Sequence, residues 1–437
     1  MPLNLHPNCL AQLRASIAEQ LPQIQVRNGM FLSSGSTVLL FLAQAALPTT
    51  GKTHARLLRL IGETPLIDFV SGTLARELLE NQTYEAEVGP KALTSIEAYA
   101  NAAEVSSRLV AEFESLPWQY TVTLPLPVSF SEVFCPQVGF FALSDAVCIR
   151  CGDEAMAGAY PLESGIEKRD QDIAGGGLAA LLIPQKPEWK AERAYLQVQV
   201  EGFIGKFTQT EPLLDAIGFI RSFFGLGLAL RLFRHESTYQ QYPQKQKAFI
   251  HRSINGNWVI EDVSELQSVH SETIRDLQLH DLDGALNTAE KQGAWMKRQL
   301  TSISAIVKAT ERTQNITLGA QWLLDSYSGS DELLQFVQAA VVVEILLGEK
   351  ASSDLVGLGE LLSNRCAYLI ATSHAERAQL LQDFRTIYDV RSKIVHRGKS
   401  RLQLRERVLG DKLRWMCRRI IQEEVKLLEQ DAKAAAA

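Results

Sequence analysis

Cysteine is scarce in this chain, and no cysteines are spaced as a metal site or a disulfide framework requires. Six cysteines are spread over 437 residues, which is too few to crosslink a chain of this length. Cys148 and Cys151 form a single CxxC pair without a second pair or a nearby pair of histidines. This pattern favours two half-buried strand cysteines over zinc ligands or a redox motif. The sequence therefore predicts no metal and no other cofactor.

The start of the sequence does not show the pattern of a leader segment, and its early apolar runs are short. Its N-terminus has no basic stretch followed by an apolar run and a cleavage site. The longest early apolar run, residues 37–47, is interrupted by Gln44 and is too short to cross a bilayer. We therefore expect a cytoplasmic protein with no membrane partner. The length predicts two or three domains, and a hydrophobic fraction of 46% is enough for sizeable cores.

Hydrophobic periodicity divides the chain into a mixed part and a helical part. Residues 118–128 alternate and are rich in Thr, Val and Tyr, and Pro125 and Pro127 predict an edge strand at their end. The Asn255-Gly256 pair predicts a hairpin, and strand signals stop after Leu266. The predicted class is α+β. The predicted units are a mostly helical region (1–116), a β-rich sensor or partner-binding region (117–270), a helical connector (271–303) and an all-helical domain (304–437).

The most informative segment, residues 380–401, predicts one amphipathic helix. Apolar residues recur at three-and-four spacing, namely at Leu380, Leu381, Phe384, Ile387, Tyr388, Ile394 and Val395. Position 391 belongs on this stripe but is Arg391, whose guanidinium is costly to desolvate without a partner. His396 follows near the helix end, and Gly398 provides a helix stop. These features indicate a functional site within a packed helix.

Positive charge is concentrated around this helix. Residues 385–419 carry twelve Lys or Arg against three acids, a balance of +9, whereas the whole chain sums to −6. A basic segment in an acidic protein favours a polyanion such as RNA as its partner. On charge alone, a solvated helix face is the favoured explanation. The position of Arg391 and His396 inside the segment shifts the balance towards nucleic acid.

Arg391 and His396 together have the chemistry that RNA cleavage without metal needs. A base must take the 2′-OH proton, an acid must protonate the leaving 5′-oxygen, and a cation must stabilise the developing phosphorane charge. His396 can act as acid or base, and Arg391 can supply charge and parallel donors. One helix carries a single suitable histidine, so a symmetric dimer is predicted to double the set and build a cleft.

The last third of the chain resembles the HEPN superfamily, and within it the Apea-like HEPN domains of bacterial defence proteins. The matching segments are residues 336–350 (FVQAAVVVEILLGEK), 361–370 (LLSNRCAYLI) and 387–399 (IYDVRSKIVHRGK). The hallmark of the superfamily is Arg, four to six residues, then His, and Arg391 and His396 match its four-residue form. The resemblance implies a helical bundle, and a metal-independent endoribonuclease site at a homodimer interface.

Carried over residue by residue, the resemblance assigns roles around this motif. Arg391 and His396 are the implied catalytic pair, and Ser392 takes the polar position that follows the Arg. Glu344 matches a recurrent acidic position and is a candidate partner of Arg391, and Tyr388 is a further supporting residue. The basic side chains expected to bind RNA are Lys393, Arg397, Lys399 and Arg401.

The expected function is an RNase of an anti-phage, abortive-infection or toxin system that cuts RNA, with tRNA as one candidate substrate. The N-terminal two-thirds would bind a regulatory protein such as an antitoxin or a phage trigger. One alternative is a HEPN module that binds RNA or protein without cutting. Another is a P-loop NTPase that uses Lys52, because residues 46–53 (ALPTTGKT) match a relaxed phosphate-loop pattern.

Overall fold

The computed structural model describes residues 2–82, 84, 89–162, 188–236, 246–280, 286–308, 311–348 and 358–436. All the strands described lie before residue 280, and everything described after it is helical. The predicted α+β class is therefore confirmed. The glycine run 175–177, which favours a flexible loop over an anion site, lies outside the described residues.

The N-terminal unit consists of helices packed around their own apolar core, with a small three-stranded sheet at one side. Its elements are α1 (Pro7–Gln20), β1 (Gln25–Arg27), β2 (Phe31–Leu32), α2 (Ser34–Thr37), α3 (Phe41–Gln44), α4 (Gly51–Leu60), α5 (Pro65–Asn81), β3 (Lys91–Ala92) and α6 (Ala102–Glu114). Proline begins α1 and α5, where its missing N–H and fixed φ suit a first helical turn. Short 3-10 turns precede α6, so residues 93–101 of this mostly helical region are not part of a regular α-helix.

A six-stranded antiparallel sheet forms the centre of the molecule, in the order β10-β9-β4-β7-β6-β5. The elements of this part are β4 (Trp118–Pro125), α7 (Val128–Gln137), β5 (Phe140–Ser144), β6 (Val147–Cys151), α8 (Glu154–Ala159), β7 (Ala194–Gly202), α9 (Glu211–Ala229), β8 (Phe233–His235), β9 (Lys247–Ile254), β10 (Asn257–Glu265), α10 (Ser268–Arg275) and β11 (Leu277–Leu279). The predicted hairpin is β9–β10, with Asn255 and Gly256 both at positive φ.

The prediction for the end of β4 is confirmed. β4 pairs with both β7 and β9 over residues 120–123, but at Pro125 it pairs with β7 alone, so the strand end lies at an edge and the missing N–H breaks no bond to β9. The prediction that strands stop after Leu266 is wrong, because the short β11 pairs with β8. Three residues are too few to give a periodic signal.

The helices of the last third pack against the sheet and share its apolar core. They are α11 (Ala289–Lys308), α12 (Glu311–Asp325), α13 (Glu332–Leu347), α14 (Leu358–Ile370), α15 (His374–Arg397) and α16 (Leu404–Ala436). α11 continues across the boundary predicted at residue 303. Ser304 on it donates a hydrogen bond to the backbone carbonyl of Leu143 on β5, at 2.7 Å. This helix therefore covers an edge strand, although its charged sequence predicted a connector.

α9 is the one helix among the described residues that is long and apolar enough to cross a membrane. More than half of its apolar window is buried inside the protein, and its residues Phe223 and Phe224 are fully enclosed in the main core. This burial is typical of the core helix of a globular protein.

The CxxC cysteines have different environments, because alternate residues of β6 point to opposite faces of the sheet. Cys151 is buried and forms a disulfide with Cys135 on α7, and Cys148 is a free, half-buried thiol. The prediction of two half-buried strand cysteines thus describes Cys148 alone. Among the described residues, no three His, Cys, Asp or Glu side chains cluster as a metal site would require.

Candidate active site

Both ends of α15, the helix that carries Arg391 and His396, are capped by its own sequence. The side chain of Ser373 accepts a hydrogen bond from the backbone N–H of Glu376 at 3.2 Å. Glu376 in turn accepts from the backbone and hydroxyl of Thr372, and these bonds lower the pKa of its carboxyl. Gly398 ends the helix in the left-handed conformation, with φ 64°, as its position predicted.

The face of α15 that packs into the core carries Leu380, Phe384, Ile387 and Val390, all buried. The predicted stripe is therefore shifted at its C-terminal end. Val395, expected in the core, is 47% exposed, and Val390 takes its place. The reason is geometrical, since on an ideal helix residue 390 lies about 60° from 387 on one side and residue 395 about 80° from it on the other, so the buried face reaches only one of them.

Arg391 lies at the rim of this core and forms an ion pair with Glu344 on α13. Its Nη2 is 3.2 Å from Glu344 Oε1 and 3.5 Å from Oε2. The two side chains are 23% and 22% exposed, so the pair is partly accessible from solvent. The pair uses only Nη2, and Nε is buried with no hydrogen-bond partner among the described residues. The carboxylate offsets the cost of placing a guanidinium against an apolar face.

Tyr388 completes this cluster. Its hydroxyl donates to Glu344 Oε1 at 2.8 Å, and its ring stacks on Phe384 with centroids 5.2 Å apart. Burial and the adjacent Glu344 carboxylate raise the pKa of Tyr388, so the phenol stays protonated and keeps donating. Gly359 on α14 lies against the same ring, where an added Cβ would come within 3.3 Å of it. The Glu344 carboxylate is thus held by both Arg391 and Tyr388.

His396 lies apart from this cluster, on the last turn of α15. It is exposed, and within the described ranges it makes no hydrogen bond or ion pair. Along an ideal helix it lies about 7.5 Å beyond Arg391 and about 140° around the axis. The two side chains therefore do not meet within one subunit. A substrate would have to extend from one to the other, or a second subunit would have to supply the missing partner.

The basic residues predicted to bind RNA fall into two groups. Lys393 pairs with Asp389 one turn earlier, at 2.5 Å, and Lys399 pairs with Glu406 on α16, at 3.0 Å. Arg397 and Arg401 are exposed, and the described part of the chain offers them no ion pair. Arg397 and Arg401 are therefore the more available phosphate contacts. Ser392 is half-buried beside Arg391 in the sequence.

Three exposed apolar side chains at the end of α15 and the start of α16 were not expected from the sequence. Leu404 and Val408 lie one turn apart on α16 and are 76% and 62% exposed, and the exposed Val395 adjoins His396. The spacing of Leu404 and Val408 was the available signal, because residues four apart share one helix face. Basic residues lie between the two positions, so the segment as a whole has a basic character.

The phosphate-loop candidate, residues 46–53, does not have the strand-to-helix surroundings that a phosphate loop needs. α4 begins at Gly51, and a short helix, α3, precedes it. A phosphate loop follows a buried β-strand, whose end aims consecutive backbone N–H groups at the phosphates. Lys52 is exposed in the first turn of α4. The pattern at residues 46–53 is thus a helix-to-helix connection.

A second carboxylate cluster, also missed in the sequence, lies between the sheet and the helices. Asp325 at the end of α12 forms a two-point ion pair with Arg221 of α9, and its carboxylate accepts a hydrogen bond from His270 Nε2 at 3.1 Å. These residues lie 104 and 55 positions apart in the sequence. No local spacing could have indicated the cluster.

No family model, no curated protein and no solved structure matches the chain.

Proposed function

We propose that this protein is a metal-independent endoribonuclease of the HEPN type. The observation that supports this most is the arrangement on α15. Arg391 is fixed at the rim of the core by Glu344, and His396 stands unpartnered among described residues at the exposed end of the same helix. A preorganised cation and an available imidazole are the two groups that transesterification of RNA requires.

The proposed reaction is attack of a ribose 2′-oxygen on the adjacent phosphorus. A base removes the 2′-OH proton, the bond from phosphorus to the 5′-oxygen breaks, and an acid protonates that oxygen. The products are a 2′,3′-cyclic phosphate and a 5′-OH end. His396 serves as the proton-transfer group, and the Arg391 guanidinium stabilises the charge that builds on the phosphoryl oxygens.

A homodimer would bring the two required sets of groups together. One chain offers a single His396, whereas the reaction needs both a base and an acid. Val395, which directly precedes His396, and Leu404 and Val408 on the following helix are exposed apolar residues, and apolar side chains of this kind are buried in subunit interfaces. A twofold axis at these residues would set two copies of His396 across one cleft.

The biological role proposed with this activity is anti-phage defence, abortive infection or toxicity in the cytoplasm. RNA, with tRNA as one candidate, is the substrate, and the N-terminal two-thirds would bind a regulatory protein. The Cys135–Cys151 disulfide stands against a simple reducing compartment, because such bonds persist mainly in oxidising ones. Counting reactive thiols in protein from a cytoplasmic extract tests this point directly.

The decisive experiment compares Arg391→Ala and His396→Ala with two matched variants on the same helix. Arg385 and His374 are exposed residues of α15 that lie away from the proposed site. We expect each site variant to lower the cleavage rate of labelled RNA by about 100-fold or more. Arg385→Ala and His374→Ala should cleave as the wild type does, and EDTA should have no effect.

Cleavage that survives in both site variants would reject the assignment of Arg391 and His396. A second candidate function, RNA binding without cleavage, is favoured by one observation: Arg391 already has a partner in Glu344. Binding of labelled RNA that produces no new 2′,3′-cyclic phosphate ends would establish that alternative.

A further inference from the structure

A cleft of about 1260 Å³ lies between the central sheet and α9, α10 and α12. One wall is apolar. It includes Leu214 and Ile217, which share a face of α9, and Val198 and Ile250 from the sheet. Ligand sites are concave, mostly apolar and supplied with a few convergent polar groups. The cleft is concave and mostly apolar, and so it has the first two of these properties.

The opposite wall is polar but uncharged. Thr313, Gln314, Thr317 and Gln321 follow one another along the side of α12 that faces the cleft. The Gln321 amide donates to the hydroxyl of Ser222 at 3.0 Å, which fixes its direction and leaves its carbonyl oxygen for a ligand. The Thr208 hydroxyl, also in the lining, is buried without a partner among described residues. Amides and hydroxyls supply paired donors and acceptors in fixed geometry.

The charges in the lining disfavour an anionic ligand. Lys206 is paired with Asp262, and Arg221 is paired with Asp325, so neither cation is available for a phosphate. Glu211, Asp215 and Glu265 also line the cleft, which gives acids an excess over cations. A phosphate-bearing ligand would be repelled here. The site therefore suits a neutral molecule.

His270 gives the cleft one oriented polar ring. Its Nε2 is bonded to Asp325, which Arg221 holds in turn, so the imidazole cannot rotate freely. A histidine fixed through one nitrogen presents the other in a defined direction. His270 lies in the lining, and it thus supplies a second directed hydrogen-bonding group beside Gln321.

An aromatic ring stands at the mouth of the cleft in a conformation that the backbone does not favour. Phe207 is 75% exposed and has φ 61°, which is unusual for a residue with a large side chain. The ammonium of Lys206 lies 5.6 Å from the centre of the ring. A strained, exposed aromatic at the edge of a cavity indicates a contact that is made when a ligand is present.

We propose that this cleft binds an uncharged heteroaromatic molecule of nucleoside size. The base would stack on Phe207, and its hydrogen-bonding edge would meet Gln321 and His270. Glutamine amides match the paired donor and acceptor of a nucleobase edge, and aromatic rings stack on bases of every kind. The lack of an unpaired cation among the lining residues excludes the corresponding nucleotides. This inference does not depend on the ribonuclease activity.

Calorimetric titration of the full chain tests the proposal with adenosine, guanosine, cytidine and uridine, each compared with its 5′-monophosphate and with spermidine. We expect at least one nucleoside to bind, and its monophosphate to bind about tenfold more weakly or not at all. Phe207→Gly should weaken binding by about tenfold. Glycine accepts positive φ, so this variant keeps the fold. Gln321→Leu should weaken binding to a similar extent.

Asn255→Gly is the matched control, because Asn255 also has positive φ but lies in the β9–β10 turn, outside the cleft lining. It should bind as the wild type does. The proposal is overturned if no nucleoside binds at up to about 1 mM, or if only spermidine binds. It is also overturned if a monophosphate binds as tightly as its nucleoside, or if both cleft variants bind normally.

Discussion

Two clusters of similar composition lie in different environments, one where the sheet region meets α12 and the other within the helical third. Asp325 in the first and Glu344 in the second each join an arginine to a ring that can donate a hydrogen bond. The side chain of Asp325 is 9% exposed and that of Glu344 is 22% exposed. In the first cluster the histidine is bonded to the carboxylate, whereas in the second His396 is separate. The first arrangement suits a small enclosed ligand, and the second a large substrate.

Breaking the enclosed cluster should have the larger effect on stability. Asp325→Ala leaves Arg221 with no counter-ion and removes the partner of His270, so we expect the free energy of unfolding to fall by about 4 kcal/mol. Urea denaturation followed by circular dichroism measures this change. Glu332→Ala is the control, since Glu332 pairs with Arg407 on the open surface. Equal losses for the two variants would show that burial is not the reason.

A fully buried histidine provides the next test of the sheet region. His251 on β9 packs against Tyr160 and Trp189, and burial lowers the pKa of its imidazole to about 4. The unfolded chain binds the proton at about pH 6.5 and the folded chain only near pH 4, so stability is present above pH 6.5 and is lost as the pH falls towards 4. The loss should be about 3 kcal/mol.

Urea denaturation between pH 4 and 7 measures this slope, and His251→Gln should make it shallower. Glutamine does not titrate, and its amide can still donate to the carbonyl of Pro161, which lies 3.1 Å from His251 Nε2. If wild type and variant lose stability equally over this range, another group is responsible for the acid sensitivity.

Among these variants, we expect a change in the exposed cluster to reduce stability least. The same change should still reduce activity. Glu344→Gln removes the charge opposite Arg391, and because both side chains are partly exposed we expect a loss of only about 1 kcal/mol. If the ion pair positions Arg391 for catalysis, RNA cleavage should fall by about tenfold or more in the same variant. Tyr388→Phe keeps the pair and removes one hydrogen bond to Glu344, so its effect on cleavage should be smaller.

Local patterns predicted most of the elements near this site. The spacing of apolar residues predicted most of α15, and Gly398 marked its end. Patterns of this kind reflect contacts between residues that lie within one or two helical turns of each other. They do not identify partners that come from distant parts of the chain. β4 is internal because β9, more than a hundred residues later, pairs with it, and nothing in β4 itself records that partner.

The same limit applies to the sites. The approach of Glu344 to Arg391 was expected from a resemblance and not from spacing, since 47 residues separate them. The Asp325 cluster and the cleft were not expected at all, because their residues come from α9, α10 and α12 and from the sheet. Only packing brings these side chains together, and a single sequence contains no direct sign of it.

α11 contributes residues both to the cleft and to the helical bundle. Its residues Ile306 and Val307 line the cleft, Ser304 is bonded to β5, and Ser302 is bonded to Glu429 on α16 at 2.8 Å. A single helix therefore contacts both the cleft and α16, whose N-terminal end carries the exposed residues Leu404 and Val408.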